Sequence, residues 1–154
     1  MQREKGTLSA QLDFTLSRPE KNQAELLAAI ERFALEIALS EALRYRLALI
    51  VDEVVTNCIV HGACNGENQT IKVHILDQEN DLIIAISDTG RPFDPTTHPL
   101  SRCPEGEPVL LGGAGLSLVR HLANRIKYTR SRDHNHLLIS LNKVKQETAC
   151  SFKK

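Results

Sequence analysis

The sequence predicts an α+β fold, with helices gathered in one block of the chain and the strands arranged as hairpins around it. Three observations carry this expectation. Residues 11–16, Gln-Leu-Asp-Phe-Thr-Leu, alternate at the two-residue period of a half-buried strand. From there to Gly62 the apolar residues recur at helical spacing instead. Beyond residue 70, runs of Ile, Val and Leu return in pairs separated by polar turns, the pattern of an antiparallel sheet.

Taken in order, the strand at 11–16 is followed by Ser17-Arg18-Pro19-Glu20, which has the form of a capping box with proline in the first turn. A helix should run to about Leu39, with Leu26, Ile30, Phe33 and Ile37 on its apolar face. Ser40 can cap a second helix that ends at Gly62, a residue suited to a left-handed C-terminus. Helices joined so tightly should pack as neighbours. Residues 65–69 form a polar loop; Ile71, Val73 and Ile75 then alternate with Lys72 and His74 as a half-buried strand. A turn at 77–81 leads into a more apolar, central strand at 82–87. Pattern disappears over 90–113, which holds five of the six prolines (Pro92, Pro95, Pro99, Pro104 and Pro108). A patternless loop of this length is usually a lid or binding loop, and 91–111 is assigned to one here. Leu116, Val119, Leu122 and Ala123 mark a short helix starting at the glycines, and 126–130 pairs with 137–141 as a last hairpin across 131–135. The tail from Lys143 should fray. No repeat or second domain is visible, so 1–154 reads as one domain with its core over about 11–143.

The 154 residues are enough for a real core. Nineteen basic and nineteen acidic residues cancel, and only 4% are aromatic, so neither a positive field nor stacking platforms favour direct nucleic-acid binding. No apolar run reaches membrane-spanning length and the N-terminus lacks a signal-peptide core. Cys58, Cys64, Cys103 and Cys150 fit a reduced cytoplasmic protein better than a disulfide scaffold. Cys58, His61 and Cys64 suggest metal ligands, but without a paired CxxC a buried thiol near a helix end is the better reading.

Three segments carry the chemistry. Glu53, Asn57 and His61 fall four residues apart on one stripe of a helix whose other residues include Ile50, Val51, Val54, Val55 and Ile59. Polar groups set in line along an apolar helix are costly unless they have partners or a task. Glu53 could take a proton from an incoming hydroxyl, and the Asn57 amide oxygen is a hard ligand suited to magnesium. The plain alternative is a solvated helix face. Asp88 ends the most apolar strand and enters a glycine turn. Its carboxylate could accept a hydrogen bond from the exocyclic amine of adenine, with Gly90 letting backbone approach the ring; the alternative is a strand-end Asx turn. Gly112, Gly113 and Gly115 lead into the next helix, where amide groups without side chains in the way can cradle phosphate, or simply form a flexible loop. Read together, the three segments point to an ATP pocket.

In this order and spacing, 53–62, Asp88-Thr89-Gly90-Arg91-Pro92-Phe93-Asp94-Pro95 and Gly112-Gly113-Ala114-Gly115-Leu116-Ser117-Leu118-Val119 resemble the N, G1 and G2 boxes of the GHKL (Bergerat-fold) ATPases. The Gly-Arg-Pro-Phe-Asp-Pro continuation and the small size resemble the anti-sigma factor serine/threonine kinases of bacterial partner-switching systems. The resemblance spans about 12–143. It implies a two-layer α/β sandwich with helices on one face of a mixed, mostly antiparallel sheet. It also implies ATP with Mg2+, a STAS-domain anti-anti-sigma protein as phosphate acceptor, a sigma factor as a possible second partner, and a possible homodimer. By position, Glu53 would be the catalytic base, Asn57 the magnesium ligand and Asp88 the adenine anchor. Gly90, Gly113 and Gly115 would shape the pocket, the stretch Gly112, Gly113, Ala114, Gly115 and Leu116 would meet the phosphates, and His61 occupies a frequent family position. Where many relatives place a threonine near the adenine, this chain has Leu137 and Leu138. An interaction module that binds ATP without transferring phosphate is the alternative function.

Overall fold

A computed structural model describes residues 9–62, 69–97 and 112–144. The elements run β1 (Gln11–Leu16), α1 (Pro19–Glu36), α2 (Glu41–Gly62), β2 (Ile71–Asp77), β3 (Asp81–Asp88), α3 (Gly112–Leu122), β4 (Arg125–Ser131) and β5 (His134–Asn142). The strands form one sheet in the order β1-β2-β3-β5-β4, and every pairing in it is antiparallel. β3 is the central strand, as its apolar run predicts.

The strand alternation decides which face meets the helices. Leu16, Ile71, Val73, Ile75, Leu82, Ile84, Ile139 and Leu141 point one way and are buried with Leu26, Ile30, Leu47, Ile50 and Val51 of α1 and α2. Each such Leu or Ile contributes roughly 1.5–3 kcal/mol on leaving water. The intervening residues, including Lys72, His136 and Leu138, face the other way and are exposed. The result is a two-layer sandwich with its helices on one face of the sheet. α1 and α2 pack as neighbours, and Gln23 Nε2 of α1 donates to Asp52 Oδ1 (2.7 Å) and Thr56 Oγ1 (2.9 Å) of α2.

Several local expectations are corrected. Arg18, not Ser17, is the N-cap of α1, and no side chain caps that helix in the capping-box manner. Instead Asn22 reaches back, accepting from the Arg18 backbone N–H at 3.1 Å. α1 ends at Glu36, short of Leu39, because Ala38 turns left-handed (φ 55°). Leu39 N–H then donates to Ala34 O and Ala38 N–H to Leu35 O, both at 3.0 Å, the pair of bonds that defines a Schellman ending. The Ser40 cap of α2 is as expected, with its Oγ accepting from Leu43 N–H at 3.3 Å.

Gly62 closes α2 for a different reason from the one expected. Its φ lies outside the left-handed range, and what it provides is room: a Cβ there would stand 2.4 Å from Gln69 Nε2, and a Cβ on Gly90 would stand 2.7 Å from Gly62 Cα. The last turn of α2 and the exit of β3 therefore touch backbone to backbone, and Arg91 N–H donates to Gly62 O at 3.3 Å. In the last hairpin the turn is only Arg132-Asp133, both with positive φ (47° and 63°), instead of the expected 131–135. The glycines at 112–115 lie inside α3 and not before it.

Of the expected lid at 91–111, residues 91–97 are described. Within it, Arg120 of α3 donates through Nε to Pro95 O at 3.0 Å and through a second guanidinium nitrogen to the same oxygen. Asp94 Oδ1 accepts from Thr96 N–H (2.8 Å) and Thr96 Oγ1 (2.6 Å), and Phe93 stacks on His61. Residues 91–97 are thus tied to α2, α3 and the sheet; the rest of the expected lid, 98–111, and the expected frayed tail beyond 144 lie outside the described residues.

Candidate active site

α2, the exit of β3, β5 and α3 surround a cleft. Its apolar wall includes Val54, Ile86, Leu116 and Leu137, and its polar groups include Asn57 and Asp88. An apolar slot with few convergent polar groups is the usual form of a small-molecule site.

Asp88 is buried at the end of β3. Its Oδ1 accepts from Gly90 N–H (2.8 Å), Asn135 Nδ2 (3.0 Å) and Gln69 Nε2 (3.3 Å). Oδ2 has a single partner among the described residues, the Cys58 thiol at 3.5 Å. One oxygen is therefore saturated, while the other keeps capacity for a donor entering the cleft. Burial first, and then the charge of and hydrogen bond to Asp88, push the Cys58 thiol well above its ordinary pKa. It stays protonated and acts as a donor, in line with the buried-thiol reading and without the reactivity of a thiolate.

Four residues earlier than Cys58's neighbour Asn57 stands Glu53. Asn57 is buried, and its Nδ2 donates back to Glu53 O at 2.6 Å. That bond uses the amide nitrogen within the helix and leaves Oδ1 with no hydrogen bond among the described residues. Glu53 lies just outside the cleft wall, against Gly115, where the Cβ of any other residue would overlap its carboxylate. Burial, and secondarily the adjacent Asp52 charge, raise the Glu53 pKa above the ordinary carboxylate value. Among the described residues its carboxylate makes no hydrogen bond or ion pair.

The structure thus brings Asn57, Asp88 and Leu116 into one cleft, sets Glu53 beside it with Gly115, and places Gly90 beneath Asp88. Gly112, Gly113 and Ala114 contribute the first-turn backbone of α3. His61 is not in the wall. It is exposed and stacks on Phe93, a cleft residue, with ring centroids 4.8 Å apart and planes 11° from parallel.

The main residue missed from sequence is Asn135. It is buried, pairs with Asp88 in the β3–β5 register, and also donates to Arg91 O at 2.8 Å. Tyr128, Gln69 and Arg130 join the same network. A signal existed: Asn135 continues the inward series Leu137, Ile139, Leu141, but assigning 131–135 to a turn concealed it.

The family model for the histidine kinase-like ATPase domain matches residues 16–141 of this chain. The chain belongs to that family. Among curated relatives, the serine/threonine-protein kinase BtrW of Bordetella bronchiseptica is 30% identical over 129 residues, covering 81% of this chain and 89% of its own. The serine-protein kinase RsbW of Listeria monocytogenes is 31% identical over 86 residues, 53% of this chain and 55% of that protein. These relatives agree with the serine/threonine-kinase branch that the sequence resembles. The fold is also that of a solved Mycobacterium tuberculosis structure containing the RsbU and RsbW domains of Rv1364c. There the TM-score is 0.60 at 13% identity, over 87% of this chain and 32% of that one. The nucleotide-free catalytic domain of the histidine kinase ThkA, with a TM-score of 0.50 at 16% identity, covers 86% of this chain and 98% of its own. Among the described residues, no helix is long and apolar enough to cross a membrane.

Proposed function

We propose that this family member is an ATP-dependent serine/threonine-protein kinase of the anti-sigma type, acting on a STAS-domain partner. The observation that carries the reading is the Glu53–Asn57 turn of α2. Among the described residues, a carboxylate with raised pKa and no hydrogen bond stands one turn from an amide oxygen that also has none. Phosphoryl transfer needs both kinds of group, one to take the acceptor's proton and one to help hold the metal on the phosphates.

In this reading Asp88 accepts from the adenine amine and the cleft's apolar wall holds the ring. The first-turn amides of α3, from Gly112 to Leu116, meet the phosphates. Asn57 Oδ1 is the residue oxygen that fits Mg2+; bound there, the ion supplies charge neutralisation on the phosphates. Glu53 takes the proton from the partner's serine or threonine hydroxyl as that oxygen attacks the γ-phosphorus. ADP leaves, and the phosphate ester stays on the partner. His61 acts from outside the wall, by holding Phe93. A sigma factor as a second partner, a homodimer, and a cytoplasmic, membrane-free and nucleic-acid-free setting belong to the same reading, as does the treatment of 1–154 as a single kinase domain.

The test is transfer of radiolabelled phosphate from ATP to a matching STAS-domain protein, with nucleotide affinity measured in parallel. Glu53→Gln keeps the shape but removes the base, so ATP affinity should persist while transfer falls roughly 100-fold or more. Transfer at the wild-type rate would rule out Glu53 as the base. Wild-type protein that binds ATP and partner yet labels nothing would instead make this an ATP-gated binding module.

A further inference from the structure

Asn135 has every hydrogen-bonding position of its side chain in use. Its Oδ1 accepts from Tyr128 OH at 2.6 Å and Arg130 Nη1 at 2.8 Å; its Nδ2 donates to Asp88 Oδ1 at 3.0 Å and Arg91 O at 2.8 Å. The orientation admits no flip. A guanidinium only donates, so the amide oxygen must face Arg130, and a carboxylate and a carbonyl only accept, so the amide nitrogen must face Asp88 and Arg91. Arg130 Nη1 also donates to Gly90 O at 3.1 Å, which fixes the chain on both sides of the glycine. This fixed donor holds Oδ1 of Asp88, a residue of the cleft wall, and leaves Oδ2 with one partner among the described residues, the weakly donating Cys58 thiol.

We infer that Asn135, aimed by Tyr128 and Arg130, is the positioning residue that holds the Asp88 carboxylate by Oδ1 so that Oδ2 is the acceptor offered to a ligand, and so sets selectivity for a base bearing an exocyclic amine. With Asn135 Nδ2, Gly90 N–H and Gln69 Nε2 all donating to Oδ1, the carboxylate cannot turn about its own axis without losing those bonds, so Oδ2 is the oxygen left for a donor. A base that presents an amine is matched; one that presents a carbonyl oxygen at the same place meets an acceptor. The inference rests on the nucleotide reading of the cleft and assigns its base selectivity to a residue outside the three sequence segments.

The experiment compares binding of ATP and inosine triphosphate, which carries a carbonyl oxygen in place of the amine, by calorimetry on the full chain with magnesium. Wild type should prefer ATP by about tenfold or more, the value of a hydrogen bond to a charged group. Asn135→Leu should bring the two affinities within about threefold of one another. A residue that merely supports the fold would weaken both nucleotides equally and preserve their ratio. Tyr128→Phe removes one hydroxyl and keeps the question open to test if Asn135→Leu does not fold; it should lower the ratio in the same direction by a smaller factor. An unchanged ratio in the folded variants overturns the role of Asn135 while leaving the nucleotide site intact. If wild type binds neither triphosphate, the nucleotide reading itself fails, and the inference with it.

Discussion

The two ends of the cleft are built on opposite plans. At the Asp88 end, Gly90, Gln69, Asn135, Tyr128 and Arg130 satisfy one another, and the network draws on β3, β4, β5 and the chain after Gly90. At the Glu53 end, two polar side chains on one helix have acceptors without hydrogen bonds among the described residues, and Gly115 lies against the Glu53 carboxylate. A network partnered everywhere except at Asp88 Oδ2 is rigid and offers a ligand one acceptor in a fixed place. A carboxylate with a raised pKa suits proton transfer, and an amide oxygen with spare capacity suits metal ligation. On the proposed reading, the difference separates recognition, built in advance, from chemistry, which waits for its substrates.

The largest effect should come from crowding the open end. Gly115→Ala would drive a methyl group into the Glu53 carboxylate. Displacing a base by about an ångström costs on the order of 100-fold, so transfer to the partner should fall by that factor. Single-turnover kinetics at saturating ATP would check it, and near-normal turnover would mean that Glu53 is not held where the reaction needs it.

A somewhat smaller effect is expected at the partnered end. In Asp88→Asn the three donors now on Oδ1 would keep the amide oxygen, turning its NH2 toward the cleft. ATP affinity should drop roughly 10–100-fold because donor would face donor. Inosine triphosphate should gain relative to ATP. Calorimetry that finds both nucleotides weakened alike would show that Asp88 supports the fold instead of reading the base.

These contrasts also explain how much was legible beforehand. Glu53, Asn57 and Asp88 stood out because each is polar in an apolar element, and local periodicity is enough to see that. The sheet order was partly legible for the same reason, since the most apolar strand, β3, had to be central. Asn135 depended on a partner 47 residues away and on a hairpin turn made by Arg132-Asp133, a pair without the Asn-Gly signature. The glycines misled in a similar way. Gly62 looked like a left-handed cap but serves a close backbone contact with Gly90, whereas the real left-handed ending of a helix falls on Ala38, which no sequence rule marks.

The pH dependence of transfer sharpens the account of Glu53. If Glu53 is the base, as proposed, it works when deprotonated, so transfer should fall as pH drops through its pKa, at a pH above that of an ordinary carboxylate. Burial is the main cause and the Asp52 charge the second. Asp52→Asn removes only the second, so the acid limb should move to lower pH while the plateau rate stays nearly the same. Asn at 52 can still accept from Gln23, which keeps α1 and α2 joined. A limb that does not move would assign the raised pKa to burial alone; one that moves upward would contradict the like-charge explanation.

The smallest effect belongs to a site that touches neither end. Ala38 holds φ 55° in the Schellman ending of α1, where an L side chain crowds the following carbonyl and glycine does not. Ala38→Gly relieves that crowding but gives the unfolded chain more freedom, so the net gain should be about 0.5–1 kcal/mol. Urea unfolding should show a higher midpoint with an unchanged slope. Nucleotide affinity and transfer should be unaltered, because the bonds from Leu39 to Ala34 and from Ala38 to Leu35 are backbone bonds that glycine can make equally well. This variant then serves as the reference for the others: if stability alone governed binding or transfer, Ala38→Gly would raise both. Changes at Gly115, Asp88 and Asp52 that have no counterpart at Ala38 belong to the cleft itself.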